Sequence, residues 1–279
     1  MFQRYFFVLL QPKTRKMLRF LSFGSGSSGN CYYLYTENFG LLIDIGISMR
    51  RLKKYFTDYG LHMSDVKAVI VTHDHADHVK SVGQFSALHD VPVYATALVH
   101  EGIATNYCVR KKIPQQQVKT FVKGDSFDLG PFQVSTFDVP HDSKENVGFQ
   151  ISFGGKVFCL MTDIGHFTEE MQRYVGRAEY LVVEANHDED MLRRGPYPPH
   201  LKERVAGDRG HLSNSRCAEV LVHCASPALK HVWLCHLSEE NNHPELARKT
   251  IELALNKHNG IAIDVLKRCS PSGDCILCP

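Results

Sequence analysis

The chain has 279 residues, 43% of them hydrophobic and 22% charged, with a formal net charge of +2. This is the composition of an ordinary globular protein of one large or two small domains. A charge so near zero excludes any argument for nucleic acid from net charge alone and leaves only a local basic patch open. Nine cysteines, an odd number scattered along the chain, argue for reduced thiols and a cytoplasmic setting.

Phe6-Phe7-Val8-Leu9-Leu10 is apolar but too short for a signal segment or a membrane span, so no membrane partner is expected. Met17 opens a cleaner pattern, which sets residues 1–16 apart as an N-terminal extension. Strands are expected at 18–23, 32–36 and 40–44. The loop Gly24-Ser25-Gly26-Ser27-Ser28-Gly29-Asn30 lies between the first two, and its glycines would permit close backbone approach to a ligand. It lacks the spacing and the Lys of a phosphate-binding P-loop. A helix follows at 48–59, then a β-branched strand at 66–72.

That strand runs into His73-Asp74-His75-Ala76-Asp77-His78. Burying so much polar surface without a cation would be costly, and imidazole with carboxylate suits a borderline divalent ion. The spacing lets His73 and His75 face one ion while Asp77 and His78 face another, the first sign of a two-metal site. Beyond it come a helix at 79–89 and a strand at 91–95.

Gly124-Asp125 reads as a hairpin-like turn, and Gly154-Gly155 as a strong hairpin between strands at 148–153 and 156–161. A strand at 132–139 precedes them. Helices are expected at 168–177, 213–223 and 244–258, with strands at 180–184, 228–235 and 261–266. Two halves, each of strands then helices, suggest two sheets packed face to face with helices outside. Residues 267–279 are left as a tail, in which Cys275 and Cys278, with Cys269 nearby, form half a zinc knuckle, a redox pair or merely a loose end.

Four candidate ligands each follow an apolar strand: His73, His141, Asp163 and His236. Strand ends on one edge of a sheet lie close together, so four such events point to one site.

From 17 to 266 the chain resembles the metallo-β-lactamase superfamily, on HxHxDH at His73–His78 and the later His, Asp and His in that order. The resemblance implies an α/β fold, the four-layer αββα sandwich, as a single catalytic domain. It also implies two divalent metal ions, zinc first, with manganese, iron or nickel as alternatives. One ion would be held by His73, His75 and His141, the other by Asp77, His78 and His236, with Asp163 bridging them. Asp44 would accept a hydrogen bond from a ligand His. A hydroxide between the ions would attack, with Asp77 counted in the catalytic set.

The gap of about seventy residues between Asp163 and His236 leaves no room for an inserted nuclease domain. Within it, Glu184-Ala185-Asn186 and Gly210-His211-Leu212-Ser213-Asn214 resemble elements of tRNA 3′-processing endonucleases. By that match Glu184 orients His211 as general acid; a structural Glu and a helix-capping loop is the alternative. Arg193, Arg194, Lys202, Arg204 and Arg209 suit a phosphate backbone, and equally a solvated loop diluted by Glu203 and Asp208. Tyr197 is placed to stack on a base. Ser27, Asn30, Ser213 and Asn214 complete the candidate substrate contacts.

The whole resembles most the small bacterial YycJ-type (WalJ) branch, which implies a metal-dependent 5′-to-3′ exonuclease on single-stranded DNA. Two other readings stay open: a thioester, lactone or lactam hydrolase of the same fold, and an iron-binding redox or sensor protein.

Overall fold

The structure, a computed structural model, describes residues 17–255 and 260–277. The N-terminal extension, Cys278 and the end of the 244–258 helix lie outside them. In chain order the first half gives β1 (Arg19–Gly24), β2 (Cys31–Tyr35), β3 (Gly40–Ile43), α1 (Met49–Asp58), β4 (Val66–Ile70), α2 (Ala76–Val79), α3 (Val82–His89), β5 (Val93–Ala95), α4 (Ala97–Thr105) and β6 (Val118–Thr120). The second gives β7 (Ser126–Leu129), β8 (Phe132–Asp138), β9 (Val147–Phe153), β10 (Lys156–Met161), α5 (Glu169–Val175), β11 (Tyr180–Glu184), α6 (Glu189–Arg194), α7 (Pro199–Ala206), α8 (Asn214–Cys224), β12 (His231–Cys235), α9 (Pro244–Ala254), β13 (Ala262–Val265) and β14 (Ser272–Ile276).

The strands form two seven-stranded sheets, ordered β14-β1-β2-β3-β4-β5-β6 and β13-β12-β11-β10-β9-β8-β7. Alternation along the strands explains why they pack face to face. In β4, Ala68 and Ile70 point into the core between the sheets, and Val69 points to the outer layer of α1, α3 and α4. In β12, Trp233 and Cys235 join the same inter-sheet core, and Val232 and Leu234 pack on α5, α8 and α9. Strands buried on both faces need apolar residues at successive positions, which is why these runs read as unbroken. The result is the αββα sandwich, and no helix among the described residues is long and apolar enough to cross a membrane.

Gly154 (φ 55°) and Gly155 (φ 80°) make the two-residue turn between β9 and β10, where both central positions need the left-handed region. Gly124-Asp125 is not a hairpin turn. It carries the chain from β6 at the edge of one sheet to β7 at the edge of the other. Phe121 goes into the inter-sheet core, and Thr136 N–H donates to Asp125 O at 2.9 Å.

The segment set apart as a tail is an edge strand instead. β14 pairs antiparallel with β1, and Leu277 is fully buried. Just before it, the carbonyls of Lys267 and Arg268 accept from Ser25 N–H at 3.1 and 3.3 Å. The Gly/Ser loop is therefore clasped by the chain's own C-terminal segment, and its close approach is to protein backbone. Among the described residues all eight cysteines are free.

Candidate metal centre

The candidate ligands sit past the C-terminal ends of β4, β8, β10 and β12, which lie on one edge of the sandwich. Asp44 (φ 59°), Asp163 (φ 57°) and His236 (φ 54°) are left-handed, three of the four such non-glycine residues described. Each follows a strand end, and the unusual backbone swings the side chain inward. Such strain, about 1–3 kcal/mol each, gathers at functional sites.

The structure brings all seven candidate ligands together. His73, His75 and His141 form one group of donor atoms within 4.8 Å of one another, and their ring centroids are 4.7–5.2 Å apart. Asp77, His78 and His236 form a second group, and His73, His78 and Asp163 a third. Asp163 lies among them: Oδ2 is 3.2 Å from His78 Nε2, and Oδ1 is 3.7 Å from His141 Nε2 and 3.4 Å from His236 Nδ1.

The surrounding hydrogen bonds aim the rings. Nδ1 meets an acceptor in His78 (Asp44 Oδ2, 2.7 Å), His236 (Glu184 Oε1, 2.9 Å) and His141 (Gly210 O, 3.1 Å). Nε2 of each then faces the centre, the orientation metal-binding imidazoles take. Asp44 is fully buried and also accepts from Thr72 N–H and Oγ1–H, both at 2.8 Å.

Two observations test whether a cation fits. Among the described residues, His73 Nε2 and His236 Nε2 are buried without a hydrogen-bond partner. Buried polar atoms are rarely left so. Burial alone would push His78 down, yet the charges of Asp163, Asp44 and Asp77 hold it up at about 10. The centre draws in positive charge, which a divalent ion supplies in place of the proton. Imidazole nitrogens with carboxylate oxygens form a donor set for such ions.

Beside this centre, Glu184 Oε1 accepts from His211 Nδ1 at 2.8 Å and from His236 Nδ1 at 2.9 Å. Its Oε2 takes Ile164 N–H at 2.6 Å and Leu212 N–H at 3.2 Å. Burial would raise this carboxyl, but the His211 charge and the histidine hydrogen bonds bring it down to about 2. Burial lowers His211, and the Glu184 charge and hydrogen bond carry it above its ordinary value.

The expected substrate contacts divide. Arg209 Nε donates to His141 O at 2.9 Å and Arg204 Nε to Asp142 Oδ2 at 2.6 Å, so both reach the rim. Arg193 pairs with Asp190 on α6, and Arg194 is exposed on that helix. Lys202 donates to Arg193 O. The span is two short helices, with Asp188 capping the first, not a loop. Ser213 and Asn214 are buried and used internally: Ser213 caps α8 and donates to Glu189, and Asn214 bonds Asn242. Asn30 is fully buried, with Nδ2 at 2.8 Å from His78 Nε2, so it approaches the centre from inside the protein; Ser27 is exposed on its loop.

Sequence reasoning passed over three residues near the centre and one on a neighbouring loop. Asp142 stands 3.3 Å from His141 Nε2. Asn146 Nδ2 donates to Thr162 O and Asp163 O. Ser25 Oγ accepts from His236 N–H at 2.9 Å. Tyr107, 92% exposed, tops a loop tied to the HxHxDH turn by Asn106 Nδ2, which donates to Asp74 O at 2.8 Å. Its neighbours Arg110 and Lys111 were the available signal for that loop, as adjacency to His141 was for Asp142.

Gly46 sets a limit on the ligand turn. A Cβ there would stand 1.6 Å from Asp77 O, so Gly46→Ala must push the ligand segment away. Overpacking of this kind costs about 1–3 kcal/mol. A lowered denaturant midpoint with weaker binding of a divalent ion is the expected result, and unchanged values for both would count against this packing.

A family model described as the beta-lactamase superfamily domain matches residues 41–236. Exodeoxyribonuclease YycJ of Bacillus anthracis is 34% identical over 240 residues, covering 86% of this chain and 90% of its own. Exodeoxyribonuclease WalJ of Streptococcus pneumoniae is 32% identical over 241 residues, covering 86% and 89%. Among solved structures, the metallo-beta-lactamase fold protein YhfI from Bacillus subtilis superposes with a TM-score of 0.69 at 16% identity, over 92% of this chain and 99% of that one. The short form of human tRNase Z superposes with a TM-score of 0.62 at 16% identity, over 92% and 100%.

Proposed function

This chain belongs to the beta-lactamase superfamily, and from that premise we propose that it is a metal-dependent phosphodiesterase acting as a 5′-to-3′ exonuclease on single-stranded DNA. Two relatives that match along most of their length bear the name exodeoxyribonuclease, which supports the substrate class.

The observation that carries the reading is the Glu184–His211 pair beside the donor cluster. Hydrolysis of a phosphodiester in DNA must protonate a poor leaving group, the deoxyribose oxygen. Glu184 holds His211 Nδ1 at 2.8 Å, which leaves Nε2 free to hand over a proton. Two divalent ions, when bound, supply Lewis acidity and acidify the attacking water. His73, His75 and His141 would hold one and Asp77, His78 and His236 the other, with Asp163 shared.

The surroundings suit a polyanion. Lys123, Lys144 and Arg209 line a cleft of about 290 Å³ beside His141. On the loop that Asn106 ties to the HxHxDH turn, Tyr107, Arg110 and Lys111 are exposed and offer one aromatic ring and two cations, the ingredients of single-strand binding.

The test uses single strands labelled at either end, incubated with metal-loaded protein. A 5′ label should be released as mononucleotide at once, and a 3′ label should mark progressively shorter products. Intact strands would sink the reading, and 3′-first shortening would reverse its polarity.

A further inference from the structure

We propose that Asp142 is an additional ligand to the ion at His73, His75 and His141, and that it biases this site toward six-coordinate ions such as manganese over tetrahedral zinc. The proposal rests on the reading above that a divalent ion occupies this cluster. Asp142 follows His141 directly, so one turn of backbone after β8 delivers both to the rim.

Asp142 Oδ1 is 3.3 Å from His141 Nε2 and 3.9 Å from His75 Nε2. Donors on one ion at the usual bond length of about 2.1 Å lie about 3.0 Å apart at adjacent octahedral positions and about 3.4 Å apart in a tetrahedron. The shorter separation is therefore close to that of neighbouring ligands. The polarity of the contact points the same way. His141 Nδ1 is engaged by Gly210 O at 3.1 Å, which places the ring proton there and the lone pair on Nε2. Nε2 and the Asp142 Oδ1 then face each other across a short gap that a cation could fill.

The other oxygen is already fixed. Arg204 Nε donates to Asp142 Oδ2 at 2.6 Å, so the carboxylate presents Oδ1 inward. Metal-binding carboxylates are commonly held this way on their free oxygen. The donor group itself is His73, His75 and His141, and Asp142 with the shared Asp163 would raise it to three imidazoles and two carboxylates. One water would complete six positions, the number hard ions prefer, whereas zinc is content with four.

The experiment is calorimetric titration of metal-stripped protein with Mn²⁺ and, separately, Zn²⁺. Wild type is compared with Asp142→Ala, Asp142→Asn and Arg204→Gln. Asp142→Ala should weaken Mn²⁺ at one of two sites by about 10–100-fold and Zn²⁺ by less. Asp142→Asn, which keeps a neutral oxygen donor, should recover part of the Mn²⁺ loss. Electron paramagnetic resonance of the Mn²⁺-loaded proteins should differ between wild type and Asp142→Ala.

Unchanged affinities for both ions in Asp142→Ala would overturn the proposal. So would Asp142→Ala and Arg204→Gln sharing one loss of thermal midpoint with no change in binding, which would make Asp142 a partner of Arg204 alone. If wild type binds neither ion, the metal reading fails as a whole, an outcome distinct from wild-type binding with an indifferent Asp142.

Discussion

Asp163→Asn is expected to give a folded protein whose rate on labelled single strands is at least about 10²–10³-fold lower, the scale for loss of one preorganised electrostatic group. The exchange keeps side-chain volume, and asparagine tolerates the left-handed backbone that Asp163 adopts. What disappears is the charge. Burial would raise this carboxyl, but the positive rings of His236 and His78 hold it well below its ordinary value, so an anion is what the folded site contains. An amide gives His78 and His141 an oxygen but no charge to offset two cations. Elemental analysis should find at least one ion lost per chain. A variant with full metal content and wild-type rate would remove Asp163 from the shared position.

His211→Ala is expected to lower the rate by about 10²–10⁴-fold, the usual contribution of a positioned proton donor. The substitution is preferable to one at Glu184, which also orients His236 and accepts from two backbone amides. Breaking such a buried charge cluster costs about 3–5 kcal/mol and would confuse chemistry with folding. His211 packs beside His141 and His236, with ring centroids 5.2 Å from each, and is not one of the seven proposed ligands, so ion content is measured alongside the rate and should stay constant. The discriminating substrate is an activated aryl phosphodiester, whose leaving oxygen needs no proton. Its hydrolysis should be nearly unaffected in His211→Ala, while the DNA rate collapses. Equal losses on both substrates would give His211 a structural role instead.

The sandwich and its edge cluster were legible because both write themselves into local sequence. Doubly buried strands leave apolar runs, and His73, His141, Asp163 and His236 each close one. Pairing between β1 and β14 was not legible. It joins residues such as Arg19 and Ile276 across nearly the whole chain, and neither segment carries a register signal. The α6–α7 region read as open chain because its helices are short and flanked by Gly195, Pro196 and Pro198. Asp142 stayed hidden for a different reason. A carboxylate beside a histidine is common, and only three dimensions show that Arg204 turns one oxygen outward and leaves the other facing His75 and His141. The roles of Ser213 and Asn214 were likewise set by tertiary partners, Glu189 and Asn242, that no spacing discloses.

The two donor groups draw on both halves of the sandwich: His73, His75, Asp77 and His78 hang from one sheet, and His141, Asp163 and His236 from the other. Any ion seated there is a rivet through the seam, and its binding energy is spent on keeping the layers in register. Stripping the ions would then do more than silence chemistry, because it removes a tie across the mouth of the sandwich and leaves hydrogen bonds such as Val147 N–H to Thr72 O and His236 N–H to Ser25 Oγ to hold the layers there.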